Sequence, residues 1–253
     1  MRKYFFFDID GTLTTPLTAD YPESTREAIR LLQARGHFVS IATGRMQSDA
    51  WQVATELGIT AAVSDGGNAV TLDGQIIYDE GLPLEACFQM LSATDTEKHP
   101  WAIAPYNKKL RITTSASYLD KVKDRYYETV VDPSFDFRSV STIHKIFVAC
   151  HKEELSDIPL CGLPYVWFRS DTMLLEPIHK ERGIQEIQKR FSIPDSDIIV
   201  FGDGTNDRTM FRPEWFSVAM GNAKPDLKEK AKYITTRADE DGIYNACKHF
   251  GWI

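Results

Sequence analysis

The sequence predicts an α/β protein with a Rossmann-like parallel sheet core and an inserted α+β cap domain. Near both ends of the chain, short apolar runs typical of buried strands alternate with segments of helical periodicity. In the middle of the chain, several strand-like runs lie between helices instead. Alternation is typical of a parallel sheet covered by helices, whereas runs of strands indicate a separate α+β unit. We therefore predict a core made of residues 1–81 and 174–253, and a cap made of residues 82–173.

The first part of the core begins with a buried strand. Tyr4–Phe7 is an aromatic run that ends at Asp8. Ser24 and Glu27 form a capping-box pattern, which indicates the start of a helix that Gly36 closes. A strand over 37–42, a helix over 46–57 and a strand over 61–63 are predicted to follow.

The middle of the chain has a different pattern of predicted helices and strands. Helical periodicity covers 84–93 and 118–130, with strand-like runs at 102–106, 110–114, 143–150 and 165–169. Alternation then resumes with a predicted helix over 183–191 and a buried strand over 197–201. The insertion therefore interrupts the core between its third strand and its next helix.

Composition and charge exclude several classes of protein. The chain has 253 residues and a formal net charge of -7, with no long basic run, so a nucleic-acid partner is not expected. No apolar stretch approaches the roughly 20 residues that span a bilayer, so no membrane partner is expected either. The four cysteines form no CxxC pair, which disfavours a zinc site and favours a cytoplasmic protein. A monomer is compatible with the sequence, which does not indicate an oligomeric state.

Two carboxylates follow the first predicted strand. Asp8 and Asp10 lie two positions apart, with Gly11 permitting a tight turn and Thr12 offering a hydroxyl. In open α/β sheets, ligands bind beyond the carboxyl ends of the strands. Two unpaired carboxylates about 4 Å apart repel by roughly 4 kcal/mol at an effective dielectric near 20. A divalent cation removes that penalty and creates a site for an anionic substrate; the alternative is a simple turn closing a strand.

A second acidic turn follows the strand predicted over 197–201. Asp203 lies there between two glycines, and Asp207 ends the string GDGTND at 202–207. Ligands that are all oxygen, with no histidine, suit Mg²⁺, which binds through carboxylates, waters and substrate phosphate. The pair of acidic turns therefore predicts a magnesium site.

Two further residues suit phosphate binding. Thr43 lies between a predicted strand and a predicted helix, where a hydroxyl and backbone N–H groups hold phosphate oxygens. Lys180 opens the next predicted helix after the insertion and brings an ammonium group. Taken alone, Thr43 is more often a helix cap and Lys180 more often a solvated lysine. Lys189 is the alternative lysine.

These motifs, in this order, resemble the haloacid dehalogenase superfamily of phosphohydrolases. The resemblance rests on the string DIDGT at 8–12 and the string GDGTND at 202–207. Residues 218–235 and the Asp-Gly-Ile segment at 241–243 also resemble the Cof-type subfamily, which carries a C2-type cap. The long separation of Thr43 from Lys180 matches the place where that cap is inserted.

The resemblance implies a role for each matched residue. Asp8 corresponds to the nucleophile that takes the phosphoryl group, and Asp10 to the general acid and base. Asp203 corresponds to a Mg²⁺ ligand, together with Asp8 and the backbone carbonyl of Asp10. Asp207 corresponds to a supporting residue of the acidic loop. The residues that match phosphate-binding positions are Thr43, Gly44, Lys180 and Asn206.

The resemblance implies a Mg²⁺-dependent phosphatase that hydrolyses a small phosphorylated metabolite, such as a sugar phosphate, through an aspartyl-phosphate intermediate. Two alternatives remain open. A phosphosugar mutase uses the same aspartate pair but returns the phosphoryl group to its substrate. A protein that senses a phosphorylated ligand without catalysis belongs to another class, and the intact pair of Asp8 and Asp10 argues against it.

Overall fold

The computed structural model describes all 253 residues and contains fourteen strands and seven α-helices. The strands are β1 (Tyr4–Phe7), β2 (Phe38–Ala42), β3 (Ala61–Ser64), β4 (Ala69–Leu72), β5 (Gln75–Asp79), β6 (Trp101–Ala104), β7 (Leu110–Thr113), β8 (Glu128–Val131), β9 (Lys145–Ala149), β10 (Tyr165–Arg169), β11 (Thr172–Leu175), β12 (Ile198–Gly202), β13 (Phe216–Ala219) and β14 (Tyr233–Ile234). The helices are α1 (Glu23–Ala34), α2 (Gln47–Glu56), α3 (Leu84–Ala93), α4 (Ser117–Lys121), α5 (Lys180–Phe191), α6 (Pro225–Lys228) and α7 (Gly242–His249). None of these helices combines the length and the apolar character that a bilayer crossing requires.

The chain divides into two compact units. Unit 1 consists of Met1–Tyr78 and Ile178–Ile253, and unit 2 consists of Asp79–Pro177. The predicted insertion, residues 82–173, is a few residues shorter at each end than unit 2. All of the site residues predicted from the sequence belong to unit 1.

Unit 1 is built on an eight-stranded sheet in the order β14-β13-β12-β1-β2-β3-β4-β5. The pairs from β14 to β3 are parallel, and β4 runs antiparallel to β3. Successive side chains of a strand point to opposite faces. Accordingly, Phe5 and Phe7 join one apolar cluster and Phe6 joins another, and all three are fully buried. A strand that is apolar on both faces is typical of a parallel sheet covered on both sides, so the predicted α/β core is confirmed.

The position of β1 brings distant parts of the chain to one edge of this sheet. β1 lies between β12 and β2, and Phe7 pairs with both Phe201 and Ile41. Because the three strands are parallel, the residues that follow them leave the sheet at the same edge. The turns that contain Asp8 and Asp203 therefore lie beside each other.

Unit 2 is an α+β unit with a six-stranded sheet in the order β10-β11-β9-β6-β7-β8. Its strand pairs are antiparallel except for β7 with β8. Helix α3 packs into an apolar cluster of this unit through Met90 and Leu91, together with Trp101 and Ile103 of β6. This arrangement of strands and helices differs from the crossovers of unit 1.

The helix predicted over 118–130 was wrong. Helix α4 ends at Lys121, and the later residues of the predicted helix enter β8. The backbone is already extended at Val122, and Asp124 holds the turn that follows: its carboxylate accepts the N–H of Tyr126 at 3.0 Å and pairs with buried Arg111 at 3.2 Å. The β-branched residues beyond Asp124 then pair in parallel with β7.

The capping box predicted at Ser24 and Glu27 was also wrong. Helix α1 begins at Glu23, because Pro22 lies just before it and its carbonyl accepts the N–H groups of Thr25 and Arg26 at 3.0 and 3.2 Å. Ser24 is then inside the first turn, where its side chain makes no capping hydrogen bond. Glu27 instead pairs with Arg30 at 2.7 Å.

Candidate active site

The turn after β1 places Asp8 and Asp10 in different environments. Asp8 is buried, and its backbone N–H donates to the carbonyl of Phe201 at 3.0 Å. The side chain of Asp10 is 60% exposed. Gly11 has a φ of +82°, and a Cβ at this position would lie 2.4 Å from Asp203 Oδ2. Only glycine therefore lets the backbone of this turn approach Asp203 so closely.

Three carboxylates from the two acidic turns converge. Oxygen atoms of Asp8, Asp203 and Asp207 lie within 4.8 Å of one another, and we call these residues the carboxylate cluster. Asp207 Oδ2 accepts the N–H groups of Asp203 at 2.9 Å and Gly204 at 2.8 Å. Asp207 therefore holds the acidic loop in shape while its other oxygen stays in the cluster.

Lys180 joins the carboxylate cluster from the first residue of α5. Its Nζ donates to Asp8 Oδ1 at 2.6 Å and to Asp207 Oδ1 at 2.5 Å, and the residue is buried. Lys189, the alternative lysine, is exposed farther along α5. Lys180 is thus the lysine that reaches the predicted nucleophile.

The electrostatics of the cluster favour added positive charge. Burial, with the carboxylate of Asp207 adding to it, raises the pKa of Asp8 well above its usual value. The same two causes raise the pKa of Asp203 to about 6. Burial acts to lower the pKa of Lys180, but Asp207 and Asp8 outweigh it, so its pKa lies above the ordinary lysine value. Lys180 stays cationic, whereas Asp8 and Asp203 resist ionisation unless further positive charge is close.

The chemistry of the cluster fits Mg²⁺. Its side-chain donors are all carboxylate oxygens, which hard divalent cations prefer, and no histidine or cysteine belongs to it. Of the predicted ligands, Asp8 and Asp203 supply side-chain oxygens to the cluster. The carboxylate of Asp10 lies outside it, which leaves the backbone carbonyl as the contribution predicted for Asp10. The structure adds Asp207, which the sequence indicated only as a supporting residue.

Thr43 and Gly44 lie in the turn that connects β2 with α2. Thr43 is buried, and its Oγ1 accepts the N–H of Arg45 at 3.1 Å. A hydroxyl that accepts in this way keeps its own hydrogen available for a phosphate oxygen. The carbonyl of Thr43 accepts the N–H of Gly66 at 3.1 Å, which fixes the turn against the segment after β3.

Gly67 is a further residue whose role sequence reasoning did not predict. It has a φ of +101°, and a Cβ there would lie 2.0 Å from the carbonyl oxygen of His179. The segment that supports the Thr43 turn therefore also packs directly against the start of α5, where Lys180 lies. The signal was the unusual string Asp-Gly-Gly-Asn at 65–68.

Asn206 is the one exposed residue among the predicted phosphate-binding residues. It lies in the acidic loop between Gly204 and Asp207. Its amide oxygen would lie 2.3 Å from a Cβ built on Gly204, so the Asn206 side chain packs closely over the backbone of Gly204. A role for Asn206 in phosphate binding remains a prediction.

Arg45 is a further candidate that sequence reasoning missed. Its guanidinium donates twice to Asp10, at 2.6 and 3.0 Å, and once to Asp49 at 3.4 Å. Two parallel bonds fix the orientation of a carboxylate more firmly than one. The available signal was its position directly after Gly44, but an arginine in a turn is usually a solvated residue.

The comparisons with known proteins agree with this geometry. The sequence pattern of the haloacid dehalogenase (HAD)-like hydrolases matches residues 5–247. The chain is 34% identical over 258 residues to the proposed phosphatase YkrA of Bacillus subtilis (strain 168), covering 99% of this chain and 98% of that protein. It is 25% identical over 257 residues to YcsE of the same organism, named 5-amino-6-(5-phospho-D-ribitylamino)uracil phosphatase, covering 99% of this chain and 96% of YcsE.

A solved structure gives the same result at the level of the fold. A sugar phosphatase of HAD subclass IIB superposes with a TM-score of 0.78 and 29% identity, covering 99% of this chain and 100% of that chain. The family pattern, the full-length relatives and the subclass IIB fold together show that this chain belongs to the haloacid dehalogenase-like hydrolases, as a phosphatase of their Cof-type group.

Proposed function

We propose that this phosphatase is Mg²⁺-dependent and hydrolyses a small phosphorylated metabolite, in the first place a sugar phosphate, through an aspartyl phosphate on Asp8. The observation that carries the proposal is the contact between Lys180 and Asp8 inside the carboxylate cluster. A buried carboxylate at the end of a parallel strand, with a cation beside it, is suited to attack an anionic phosphorus centre.

The proposed reaction has two steps. In the first, an oxygen of Asp8 bonds to phosphorus as the ester P–O bond breaks, and Asp10 gives its proton to the departing alkoxide. In the second, Asp10 takes a proton from water, the water oxygen attacks phosphorus, and the bond to Asp8 breaks to release inorganic phosphate. Splitting hydrolysis in this way replaces one slow step with two easier ones.

The residues around Asp8 hold the phosphoryl group. Thr43 donates its hydroxyl and Gly44 its N–H to phosphate oxygens, and Lys180 supplies a fixed positive charge. Asn206, in the acidic loop, also contributes to phosphate binding. Mg²⁺, held by Asp8, Asp203 and the carbonyl of Asp10, would neutralise charge on the transferring group.

The substrate class is proposed from the relatives and from charge. The subclass IIB relative is a sugar phosphatase, and YcsE is named for a substrate with a phosphorylated ribityl chain. Both names describe phosphate esters of polyhydroxylated carbon chains. A net charge of -7 disfavours large polyanionic substrates such as nucleic acid. A small polyhydroxylated phosphate ester is therefore the first class to screen.

The test uses Asp8→Asn and a panel of phosphorylated metabolites. We expect the unaltered protein with Mg²⁺ to release inorganic phosphate and, after acid quench with labelled substrate, to retain label on the protein. Asp8→Asn should lose both signals while remaining folded. Asp20→Asn is the matched control, because Asp20 is an exposed aspartate in the same N-terminal segment.

The alternatives give different results in the same assay. A mutase would yield isomerised phosphosugar with little free phosphate, and a sensor would bind phosphorylated ligands without turnover. Undiminished phosphate release by folded Asp8→Asn would overturn the nucleophile assignment. Undiminished turnover after thorough chelation would overturn the metal requirement.

A further inference from the structure

The side chain of Asn222 connects three segments of unit 1. It lies shortly after β13, and its Nδ2 donates to the carbonyl of Gly11 at 2.8 Å and to Asp203 Oδ2 at 3.3 Å. Its Oδ1 accepts the backbone N–H of Ala238 at 2.9 Å. One half-buried amide thus ties the turn after β1, the acidic loop and the segment before α7 together.

These bonds fix the carboxylate of Asp203 from one side. Oδ1 of Asp203 accepts the hydroxyl of Thr12 at 3.2 Å, and Oδ2 accepts the amide of Asn222. One donor on each oxygen leaves the carboxylate little freedom to rotate. The two donors also come from different segments, so they fix the acidic loop relative to the turn that contains Thr12.

An amide is the side chain that meets these demands. It offers two N–H donors and one carbonyl acceptor in one plane, which matches two acceptors at Gly11 and Asp203 and one donor at Ala238. Leucine has the same shape but makes none of these bonds. Alanine removes both the bonds and the volume.

We propose that Asn222 is a positioning residue for the divalent cation: it holds Asp203 and the backbone beside Asp10 at the separation that the ion requires. This rests on the proposed function, in which Asp203 and the carbonyl of Asp10 are ligands. Gly11 directly follows Asp10, so the bond to its carbonyl restrains that part of the backbone. Hydrogen bonds that orient metal ligands are worth about 10- to 100-fold in metal affinity.

The test measures metal binding without turnover. Metal-free protein is titrated with Mn²⁺, an ion that also prefers oxygen ligands, and the free ion is followed by its electron paramagnetic resonance signal. The variants are Asn222→Ala and the isosteric Asn222→Leu, which keeps the volume if alanine unfolds the protein. The matched control is Asn245→Ala, because Asn245 bonds to Thr236 and Glu240 in the neighbouring segment without reaching Asp203. Asp203→Asn is the reference for a lost ligand.

We expect Asn222→Ala and Asn222→Leu to bind Mn²⁺ at least about tenfold more weakly, with Asn245→Ala unchanged. In phosphatase assays the Mg²⁺ concentration for half-maximal rate should rise by a similar factor, while kcat at saturating Mg²⁺ stays within about twofold because Asn222 does not touch the reacting atoms. If Asp203→Asn loses Mn²⁺ binding but folded Asn222 variants keep it, the inference is wrong and the metal site stands. If Asp203→Asn also binds normally, the proposed metal site itself is wrong.

Discussion

The Nζ atom of Lys180 lies 2.6 Å from Oδ1 of Asp8, although 172 positions separate the two residues in the chain. Both groups are buried, and the same ammonium donates a second hydrogen bond to Asp207 Oδ1 at 2.5 Å. The same lysine is thus part of the interior of unit 1 and part of its reactive edge. Stability and activity are therefore linked at this residue.

Replacing Lys180 with methionine should damage both properties. Removing one partner of a buried ion pair leaves uncompensated charge and costs about 3–5 kcal/mol. We expect this loss in the free energy of unfolding, measured by denaturant titration, together with loss of phosphate release. Lys98→Met is the control, because Lys98 forms an exposed pair with Asp157 and surface pairs contribute little.

The interaction between Lys180 and Asp207 makes this prediction sharper. In the double variant Lys180→Met with Asp207→Asn, one of the stranded carboxylates is removed. Its free energy of unfolding should fall by less than the sum of the two single losses. Strict additivity would show that the pair is not coupled in the folded protein.

Arg45→Ala should separate the two steps of the proposed reaction. Without its two bonds from Arg45, Asp10 loses its fixed orientation, and general acid–base assistance is worth about 10²–10⁴-fold. An alkyl phosphate needs a proton on its leaving group, so its turnover should fall in this range. An aryl phosphate with an acidic phenol needs little assistance in the first step, so a burst of phenol should precede slow turnover.

Rapid-quench measurements check this prediction. Arg30→Ala is the control, since Arg30 forms an exposed pair with Glu27 on α1. A loss of the burst together with the steady rate in Arg45→Ala would indicate damage to the first step instead. Arg45→Lys retains the charge but cannot donate two parallel hydrogen bonds to Asp10. Its turnover rate should therefore lie between those of the unaltered protein and Arg45→Ala.

Gly67→Ala should be more damaging than Gly36→Ala. Both glycines have a positive φ, at +101° and +78°, so both substitutions strain the backbone. A Cβ at Gly36 would meet nothing within 4 Å, whereas one at Gly67 would collide with the carbonyl of His179. We expect about 1–2 kcal/mol of destabilisation at Gly36, and a larger loss at Gly67 with reduced kcat because Lys180 must move. Equal effects at both positions would argue against the close contact.

The contribution of Asp203 to the stability of chelator-treated protein should fall as pH rises from about 4 to about 6, as measured by comparison with Asp203→Asn. Burial and Asp207 raise the pKa of Asp203 from 3.8 to about 6. At this group the folded state binds more protons than the unfolded state within this window, so the contribution of Asp203 to the free energy of unfolding decreases with pH. Asp8, whose pKa is also raised, contributes in the same direction. Thermal unfolding midpoints across this range measure the slope.

Two changes should reduce that slope. Asp203→Asn removes one of the titrating groups. Mg²⁺ favours the ionised form of Asp203, so the stabilisation of the protein by Mg²⁺ should grow with pH. If chelator-treated Asp203→Asn shows the same slope as the unaltered protein, the raised pKa of Asp203 does not govern stability in this window.

Local patterns were sufficient to predict the core of the fold. The aromatic run Tyr4–Phe7 predicted a buried strand, and the structure has β1 over the same residues. Such a pattern is readable because burial on both faces of a parallel strand requires a continuous apolar run. The acidic turns after β1 and β12 were likewise visible, since carboxylates directly after apolar runs stand out. Because parallel strands end at one edge of a sheet, these two turns were also predicted to lie close together.

For the helix predicted over 118–130, a residue of another strand takes part in the outcome. The segment 118–130 has helical periodicity, but Arg111 from β7 pairs with Asp124 and the chain turns there. A helix of this kind is only marginally stable by itself, so tertiary contacts override its propensity. The sequence contains Arg111 only 13 positions before Asp124, but no local pattern shows that the two residues pair.

The sequence by itself determined which chemistry this protein carries: the carboxylates, the threonine and the lysine, in an order that matches the HAD-like hydrolases. Only the tertiary structure decided which groups pair with one another. Lys180 donates hydrogen bonds to both Asp8 and Asp207. Arg45 donates to Asp10, and Asn222 donates to Asp203. The physical reason is that strand and turn preferences act over a few neighbouring residues. The partner of a charged or amide side chain, by contrast, depends on which segments the packed sheet brings within 3 Å or so of it.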